Sequence, residues 1–415
     1  MGANGIFLSN PGFICAAGDS SNPAGFIENL SSGNRDGIKK VDCGLVGEEG
    51  IKSFYVGKID DSKLKPTGDK FDMRVLQILD FALNSIEESV KKAVTKYGKE
   101  RVGVCIGSCD NGSYLSFKAH KSFFEIGVFP NGYDLKAQGA DYPATFTANK
   151  FGTKGICLAF STACSSSASA IVKAKELIKA EICDAVIAGG VDVASDTVLL
   201  GFDSLEAIDH EKTNPFSKNR KGINIGEGAS VFVLSKDDLD GTGIVIAGTG
   251  ESSDANHLTA PLADGTGAEQ AMKAALSDAN LTPSEIDYIN LHGTGTHLND
   301  SMEARGIELV FGNSGESKTH SIPCSSTKPM TGHTLGAAGS LELAACFYAI
   351  QTQKLPVHVW DGLQDEEMPK LNLVGGTSAQ QDNSDKSTQH EIRTCMSNSY
   401  AFGGCNASLI IRKVK

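Results

Sequence analysis

The chain has 415 residues, of which 40% are hydrophobic and 21% are charged, so it can form a large core and does not resemble disordered proteins. Its formal net charge of −12 argues against a general nucleic-acid binder. The 11 cysteines include no CxxC pair, and no apolar run approaches the ~20 residues that a membrane-spanning helix needs. We therefore expect a cytoplasmic protein with reduced thiols, no nucleic-acid partner and no membrane span.

Short apolar runs alternate with segments of helical periodicity along the chain, which is typical of α/β proteins. The segment 71–94 carries apolar side chains at helical spacing, and helices are also predicted over 266–280 and 340–352. Buried strands are predicted over 102–107, 185–190, 229–235, 244–248, 286–291 and 407–412.

The two halves of the chain begin alike. The sequence GIFLSNPGF starts at residue 5 and GIVIAGTGE starts at residue 243, and the polar stretch 237–243 suits a junction between them. These features predict an internal duplication with domains at 1–240 and 241–415. The polar segment 377–390 is predicted to be a mobile surface loop.

Cys164 precedes a run of small residues, STACSSSA at 161–168, and then a helical pattern with one apolar face. A cysteine at a helix N-terminus faces unpaired amide groups and the positive end of the helix dipole, which favour the thiolate. A backbone N–H beside the sulfur can also serve as an oxyanion hole. By residue type alone, a buried structural cysteine is the alternative.

Two histidines lie on Gly- and Thr-rich turns farther along the chain. His292 follows a predicted strand in LHGTGTHLND, and His333 ends SSTKPMTGH, which also contains Lys328. The ends of strands are where α/β proteins place catalytic groups. Zinc is a competing interpretation, but His292 and His297 lack the i, i+4 spacing of a zinc-binding helix. A thiol at a helix start and two such histidines favour thioester chemistry.

The motifs together resemble the β-ketoacyl-[acyl carrier protein] synthases of the Cys-His-His class. They occur in the order ACSS at 163–166, NPFSKNRKGINIGEGAS at 214–230, HGTGT at 292–296, STKPMTGH at 326–333 and NSYAFGGCNAS at 398–408. The resemblance implies a thiolase-like, duplicated five-layer α/β/α/β/α fold. It also implies decarboxylative condensation of an acyl-enzyme with malonyl-carrier protein, giving a 3-oxoacyl-carrier protein.

The resemblance assigns roles to the reactive residues. Cys164 corresponds to the acyl-accepting nucleophile. His292 and His333 correspond to the pair that promotes decarboxylation and stabilises the enolate. Lys328 and Glu342 correspond to the family's lysine and glutamate, for which a buried ion pair that fixes the His333 loop is the alternative to a direct role.

Four further residues correspond to positions around the substrate. Phe402 matches the gating phenylalanine whose backbone N–H completes the oxyanion hole, and Phe202 matches an aromatic residue near the acyl pocket. Thr294 and Thr296 match threonines that bond the phosphopantetheine arm, with turn hydroxyls that bond only local backbone as the alternative. Cys405 departs from the family pattern and is interpreted as a packing residue.

The resemblance also implies partners. We expect the substrate to be presented by an acidic acyl carrier protein, whose own phosphopantetheine arm is the only prosthetic group. No metal is expected. The protein is expected to form a homodimer, or a heterodimer with a chain-length-factor-like subunit. Two basic stretches are candidates for docking the carrier protein, namely Lys63, Lys65, Lys70 and Arg74, and Lys212, Lys218, Arg220 and Lys221. For each stretch, ordinary solvated charge is the alternative. Charge reversal at Lys70 and Arg74 is expected to raise KM for carrier-protein substrates.

Three alternatives remain open at this point. Segments 250–268 and 355–362 resemble ketosynthases of aryl-polyene pathways, while fatty-acid elongation is the competing pathway. A non-catalytic chain-length-factor-like subunit would typically lack the cysteine. A biosynthetic thiolase would condense acetyl-CoA without decarboxylation.

Overall fold

The computed structural model describes residues 5–45, 50–110, 112–312, 322–375 and 391–414, so the predicted loop at 377–390 lies outside the described residues. The strands are β1 (Ile6–Leu8), β2 (Gly12–Cys15), β3 (Gly18–Asp19), β4 (Ile38–Asp42), β5 (Ser53–Gly57), β6 (Val102–Gly107), β7 (Cys157–Phe160), β8 (Ala185–Asp192), β9 (Gly228–Ser235), β10 (Ile244–Ser253), β11 (Tyr288–Asn290), β12 (Pro323–Ser325), β13 (Asn372–Leu373), β14 (Thr394–Tyr400) and β15 (Cys405–Lys413). The helices are α1 (Pro23–Ser32), α2 (Arg74–Ser85), α3 (Glu87–Tyr97), α4 (Ser113–Ile126), α5 (Tyr142–Phe151), α6 (Ser166–Lys179), α7 (Asp196–Ser204), α8 (Thr266–Ala279), α9 (His297–Phe311), α10 (Lys328–Thr331) and α11 (Ala338–Thr352). Within these ranges, no helix combines the length and the apolar character that crossing a bilayer requires.

Two halves of the main sheet repeat one strand order. The first half runs β7-β6-β8-β9-β1, and the second runs β12-β11-β14-β15-β10 with β13 beside β12. In each half the first three strands are parallel and the remaining pairs are antiparallel. Strands β1 and β10 carry the two similar sequences and pair with each other, Ile6 opposite Ile246. The structure therefore contains an internal duplication, while the division at residue 240 stays a prediction.

Alternate side chains of each strand face different helix layers, as the two-residue period of a strand requires. In β8, Val186 packs with the central helices α6 and α11, whereas Ile187 packs with α2 and α3. In β14, Cys395 packs with the central helices and Met396 with α8 and α9. Two outer helix layers, two half-sheets and a shared central layer form the predicted five-layer α/β arrangement.

The predicted elements are present with one break. The predicted strand 102–107 coincides with β6, and the predicted helices 266–280 and 340–352 correspond to α8 and α11. The helical segment 71–94 is divided, because α2 ends at Ser85 and α3 begins at Glu87. Ile86 leaves helical geometry with ψ 8°, and the two glutamates that follow favour the start of a new helix.

Each half places a short 3₁₀ turn in front of its central helix. The turn Ala163–Ser165 precedes α6, and the turn Leu335–Ala337 precedes α11. Ala163 and Leu335 both have φ 49°, a left-handed conformation that costs a non-glycine residue about 1–3 kcal/mol. Cys164 therefore lies within a sharp turn just before the helix, rather than in the helix itself.

Gly107, at the end of β6, allows the start of α6 to approach the sheet. A Cβ atom there would lie 2.4 Å from the carbonyl carbon of Ser166 and 2.5 Å from the amide nitrogen of Ser167. Because backbone cannot rotate away, we expect Gly107→Ala to lower the free energy of unfolding in urea by about 1–3 kcal/mol. The control is Gly201→Ala in α7, where an added Cβ meets no atom within 4 Å apart from its chain neighbours and the backbone of its own helix. There the free energy of unfolding is expected to rise by about 0.5–1 kcal/mol. Equal effects of the two substitutions would contradict this interpretation.

Candidate active site

A chamber of about 280 Å³ opens beside the start of α6, and its wall includes Cys164, His292 and His333. The sulfur and one nitrogen of each ring lie within 4.8 Å of one another. His333 Nε2 is 3.1 Å from Cys164 Sγ, although the two residues are 169 positions apart in the chain. The imidazole rings are nearly perpendicular, with centroids 5.3 Å apart. The structure thus brings the three predicted reactive residues together in one buried space.

Neighbouring donors decide which ring nitrogen of each histidine carries the proton. The Leu335 N–H donates to His333 Nδ1 at 3.3 Å, and the Lys328 ammonium group lies 3.4 Å from His292 Nδ1. Because both of these groups donate, each Nδ1 must accept. The proton of each neutral ring is therefore assigned to Nε2, which leaves two N–H donors for a substrate oxygen.

The environment keeps both imidazoles neutral. Burial and, to a smaller extent, the charge of Lys328 hold the pKa of His292 and the pKa of His333 well below the usual value of 6.5. The two rings therefore do not carry the positive charge that would attract a free carboxylate. Each neutral ring still has one N–H group with which it can donate a hydrogen bond.

The Cys164 thiol is subject to opposing influences. Burial raises its pKa to about 12, whereas the charge of Lys328 and the backbone N–H of Phe402 lower it. The predicted preference for a thiolate at a helix start is therefore outweighed by the burial of the sulfur. Formation of the thiolate depends on the donors that surround the sulfur.

Lys328 and Glu342 form a buried ion pair behind His292. Their side chains are 2% and 3% exposed, and Lys328 also donates to the backbone oxygen of His292. Burial raises the pKa of Glu342 to about 7, and the charge of Lys328 opposes that rise. Lys328 thus contacts a reactive ring directly, and Glu342 holds Lys328 in place.

The remaining predicted substrate residues also line the chamber. Thr294 and Thr296 lie in its wall, and their hydroxyl oxygens are 3.0 Å apart. The rings of Phe202 and Phe402 stack with centroids 5.8 Å apart. Cys405 begins β15 and is absent from the chamber wall, whereas His297 is exposed at the rim.

Three buried carboxylates that the sequence analysis missed hold the backbone of the site. Glu303 accepts the N–H groups of His292 and Gly293 at 2.8 and 2.7 Å, and burial raises its pKa to about 8. Asp300 accepts from the N–H of Gly295, and Asp192 accepts at 2.6 Å from the N–H of Gly336, which lies in the turn that precedes α11. The spacing of Asp300 and Glu303 on the helix directly after HGTGT was a signal that could have indicated them.

The structure corrects part of the predicted docking surface. Arg220 is 3% exposed and bonds Asp365 and Ser301, so its prediction as a docking residue is wrong. Arg74 is held by the buried carboxylate of Glu227 and by Asp61, and Lys70 pairs with Asp134. Lys218, in contrast, is exposed and forms no ion pair with any residue that the structure describes.

Comparison with known proteins identifies relatives along most of the chain. The family model described as "Beta-ketoacyl synthase, N-terminal domain" matches residues 11–239, and the corresponding C-terminal domain matches residues 244–359. Nodulation protein E of Rhizobium meliloti (strain 1021) is 34% identical over 334 residues, which are 74% of this chain and 78% of that protein. The 3-oxoacyl-[acyl-carrier-protein] synthase 2 of Vibrio harveyi is 32% identical over 366 residues, 84% of each chain. The Xenorhabdus doucetiae ketosynthase ApeO, solved in complex with its chain length factor ApeC, superposes with a TM-score of 0.85 at 34% identity over 99% of this chain and 98% of that one. Because the family models match both halves of the chain, the chain belongs to the β-ketoacyl synthase family.

Proposed function

We propose that this protein is an acyltransferase that condenses an acyl group held on Cys164 with malonyl-carrier protein. The observation that carries the proposal is the convergence of Cys164 Sγ with the imidazole rings of His292 and His333 in one buried chamber. The product is a 3-oxoacyl-carrier protein that is longer by two carbons. Lys328, which bonds His292 and lowers the pKa of Cys164, supports both half-reactions.

In the first half-reaction, Cys164 takes an acyl group from a carrier-protein thioester. The Cys164 sulfur forms a bond to the carbonyl carbon, the bond from that carbon to the carrier sulfur breaks, and the proton that Cys164 loses ends on the carrier thiol. The backbone N–H groups of Cys164 and Phe402 lie beside the sulfur and stabilise the negative oxygen of the tetrahedral intermediate.

In the second half-reaction, malonyl-carrier protein occupies the chamber. The bond to the carboxylate breaks, CO2 leaves, and the electron pair moves into an enolate whose oxygen accepts from His292 and His333. The enolate carbon attacks the thioester carbonyl, and the Cys164 sulfur leaves. The neutral rings can fill this role, because each has an N–H group at Nε2 when its Nδ1 accepts a hydrogen bond.

The donor arrangement favours a mechanism without a metal ion. The ligand atoms of Cys164, His292 and His333 are close enough together for a metal ion. However, a metal would need the lone pair of each Nε2, and the donors at Nδ1 leave the proton on that nitrogen. The only prosthetic group in the proposed reaction is the phosphopantetheine arm of the carrier protein.

The exposed surface around α4 supports a dimer. Phe124, Ile126, Val128 and Leu135 are 83%, 72%, 60% and 72% exposed, and β7 forms one edge of the main sheet. Exposed apolar patches and open sheet edges are typical of protein interfaces. We propose that a second copy of the chain covers this surface. Native mass spectrometry would show whether the protein forms a homodimer. The ApeO–ApeC complex suggests a heterodimer with a different subunit as the other outcome.

The pathway and the compartment are inferred from separate observations. Similarity to ApeO and the segments 250–268 and 355–362 support aryl-polyene-type elongation, and similarity to 3-oxoacyl synthase 2 supports fatty-acid elongation as the second candidate. All 11 cysteines are free thiols, which supports a reducing compartment such as the cytoplasm.

Covalent acylation tests the proposal. Incubation with an acyl-carrier thioester should raise the intact mass of the protein by one acyl group, and Cys164→Ala should abolish the increase. Cys405→Ala is the matched control and should retain it. Condensation should then require a malonyl extender and release CO2. Absence of acylation indicates a non-catalytic subunit, and condensation of acetyl thioesters without malonyl indicates a thiolase.

Lys218 allows a test of carrier-protein docking that leaves buried ion pairs intact. We expect Lys218→Glu to raise KM for carrier-protein thioesters by about three- to tenfold at low salt, because it places a negative charge opposite an acidic partner. The effect should shrink at high salt. KM for a small N-acetylcysteamine thioester, which has no carrier protein, should not change. An equal rise for both substrates would place Lys218 outside the docking surface.

A further inference from the structure

His358 lies in the segment LPVHVWDG at 355–362, which the proposed mechanism does not use. Its side chain is buried, with 3% of its surface exposed. The ring bonds two loops that come from different parts of the chain. The Ser326 N–H donates to Nδ1 at 3.1 Å, and Nε2 lies 3.0 Å from the backbone oxygen of Pro215.

Ser326 connects this ring to the active site. Its hydroxyl donates to the backbone oxygen of Gly293, which directly follows His292, at 2.7 Å. The same hydroxyl accepts the N–H of Lys328 at 3.3 Å. The position of the Ser326 backbone therefore sets how Lys328 and His292 lie relative to each other, and His358 holds that backbone from the opposite side.

The neighbours of His358 fix both its tautomer and its orientation. Since a backbone N–H only donates and a carbonyl oxygen only accepts, Nδ1 is the acceptor and Nε2 carries the proton. Phe216 and Trp360 pack against the ring with centroids 5.8 and 6.0 Å away. Burial lowers the pKa of His358 to about 4, so the ring keeps this neutral form at physiological pH.

We propose that His358 is a positioning residue for the decarboxylation step, acting through Ser326 on the contact between Lys328 and His292. The inference rests on the proposed ketosynthase function. The bond at Nδ1 is the important one, because Ser326 contacts both Lys328 and the residue after His292. The bond at Nε2 reaches the backbone of the 214–230 segment and serves to orient the ring.

Two conservative variants separate the two bonds. His358→Asn places an acceptor where Nδ1 lies, and His358→Gln places a donor near the position of Nε2. We expect the Asn variant to release CO2 from a malonyl thioester at a rate close to that of the wild type. The Gln variant should lose about 10–100-fold in kcat with KM unchanged, because small displacements of reacting groups have effects of this size. Acyl transfer to Cys164, followed by intact mass, should be unchanged in both.

The chain provides its own check on folding. Trp360 is the single tryptophan and lies beside His358, so an unchanged fluorescence emission spectrum shows that a variant keeps its packing. Equal losses in the Asn and Gln variants, or a parallel loss of acyl transfer and decarboxylation, would overturn the proposal in favour of a general structural role. If the wild type releases no CO2, the proposed function fails before the role of His358 is tested.

Discussion

His292→Ala is expected to lose decarboxylation of malonyl thioesters by about 10²–10³-fold while Cys164 still accepts an acyl group. The substitution removes one of the two N–H donors assigned to the enolate oxygen, and loss of a single oxyanion donor typically has an effect of this size. Acyl transfer is retained, because the sulfur contacts His333 and the Phe402 N–H rather than His292. CO2 release measures the first effect, and intact-protein mass measures the second.

His297→Ala is the matched control for this experiment. His297 belongs to the same HGTGTH sequence and lines the same chamber, but its side chain is exposed at the rim. The His297→Ala variant should keep the rates of acyl transfer and decarboxylation within about twofold of the wild type, because surface substitutions typically have small effects. The assignment of His292 fails if His292→Ala lowers acyl transfer as strongly as decarboxylation.

The resemblance that the five motifs carry predicted the convergence of the reactive groups. His292 follows β11 and His333 follows the adjacent parallel strand β12, so these two positions lie at one edge of the sheet, while Cys164 follows β7 in the other half. The two similar sequences at residues 5 and 243 likewise predicted a duplication, and their strands pair with each other. Local patterns were informative here because they coincide with the repeated architecture.

Burial could not be predicted from local patterns. Arg220 lies in the basic run KNRK, which suggests a solvated surface, yet Asp365 and Ser301 enclose it from distant parts of the chain. The thiolate of Cys164 was expected from its position before a helix, but the amount of protein around the sulfur raises its pKa. Both errors have the same origin, because desolvation depends on all the layers that cover a group.

Lys328→Met is expected to lower the free energy of unfolding by about 3–5 kcal/mol, because it leaves the buried carboxylate of Glu342 without its partner. This loss in the free energy of unfolding should be larger at about pH 8 than at about pH 6. Burial already raises the pKa of Glu342 to about 7, and loss of the lysine raises it further, so at lower pH the carboxyl group is neutral in the variant. Urea unfolding at the two pH values measures this difference.

The double variant Lys328→Met/Glu342→Leu separates the structural role of the pair from a direct role of Lys328. Replacing both charges with apolar groups should restore most of the lost stability, since no uncompensated charge remains buried. Decarboxylation should stay low, because His292 Nδ1 still lacks the donor that fixes its tautomer. Activity that returns together with stability would show that the pair only supports the fold. Stability without activity would assign Lys328 a direct part in orienting the His292 ring toward the enolate oxygen.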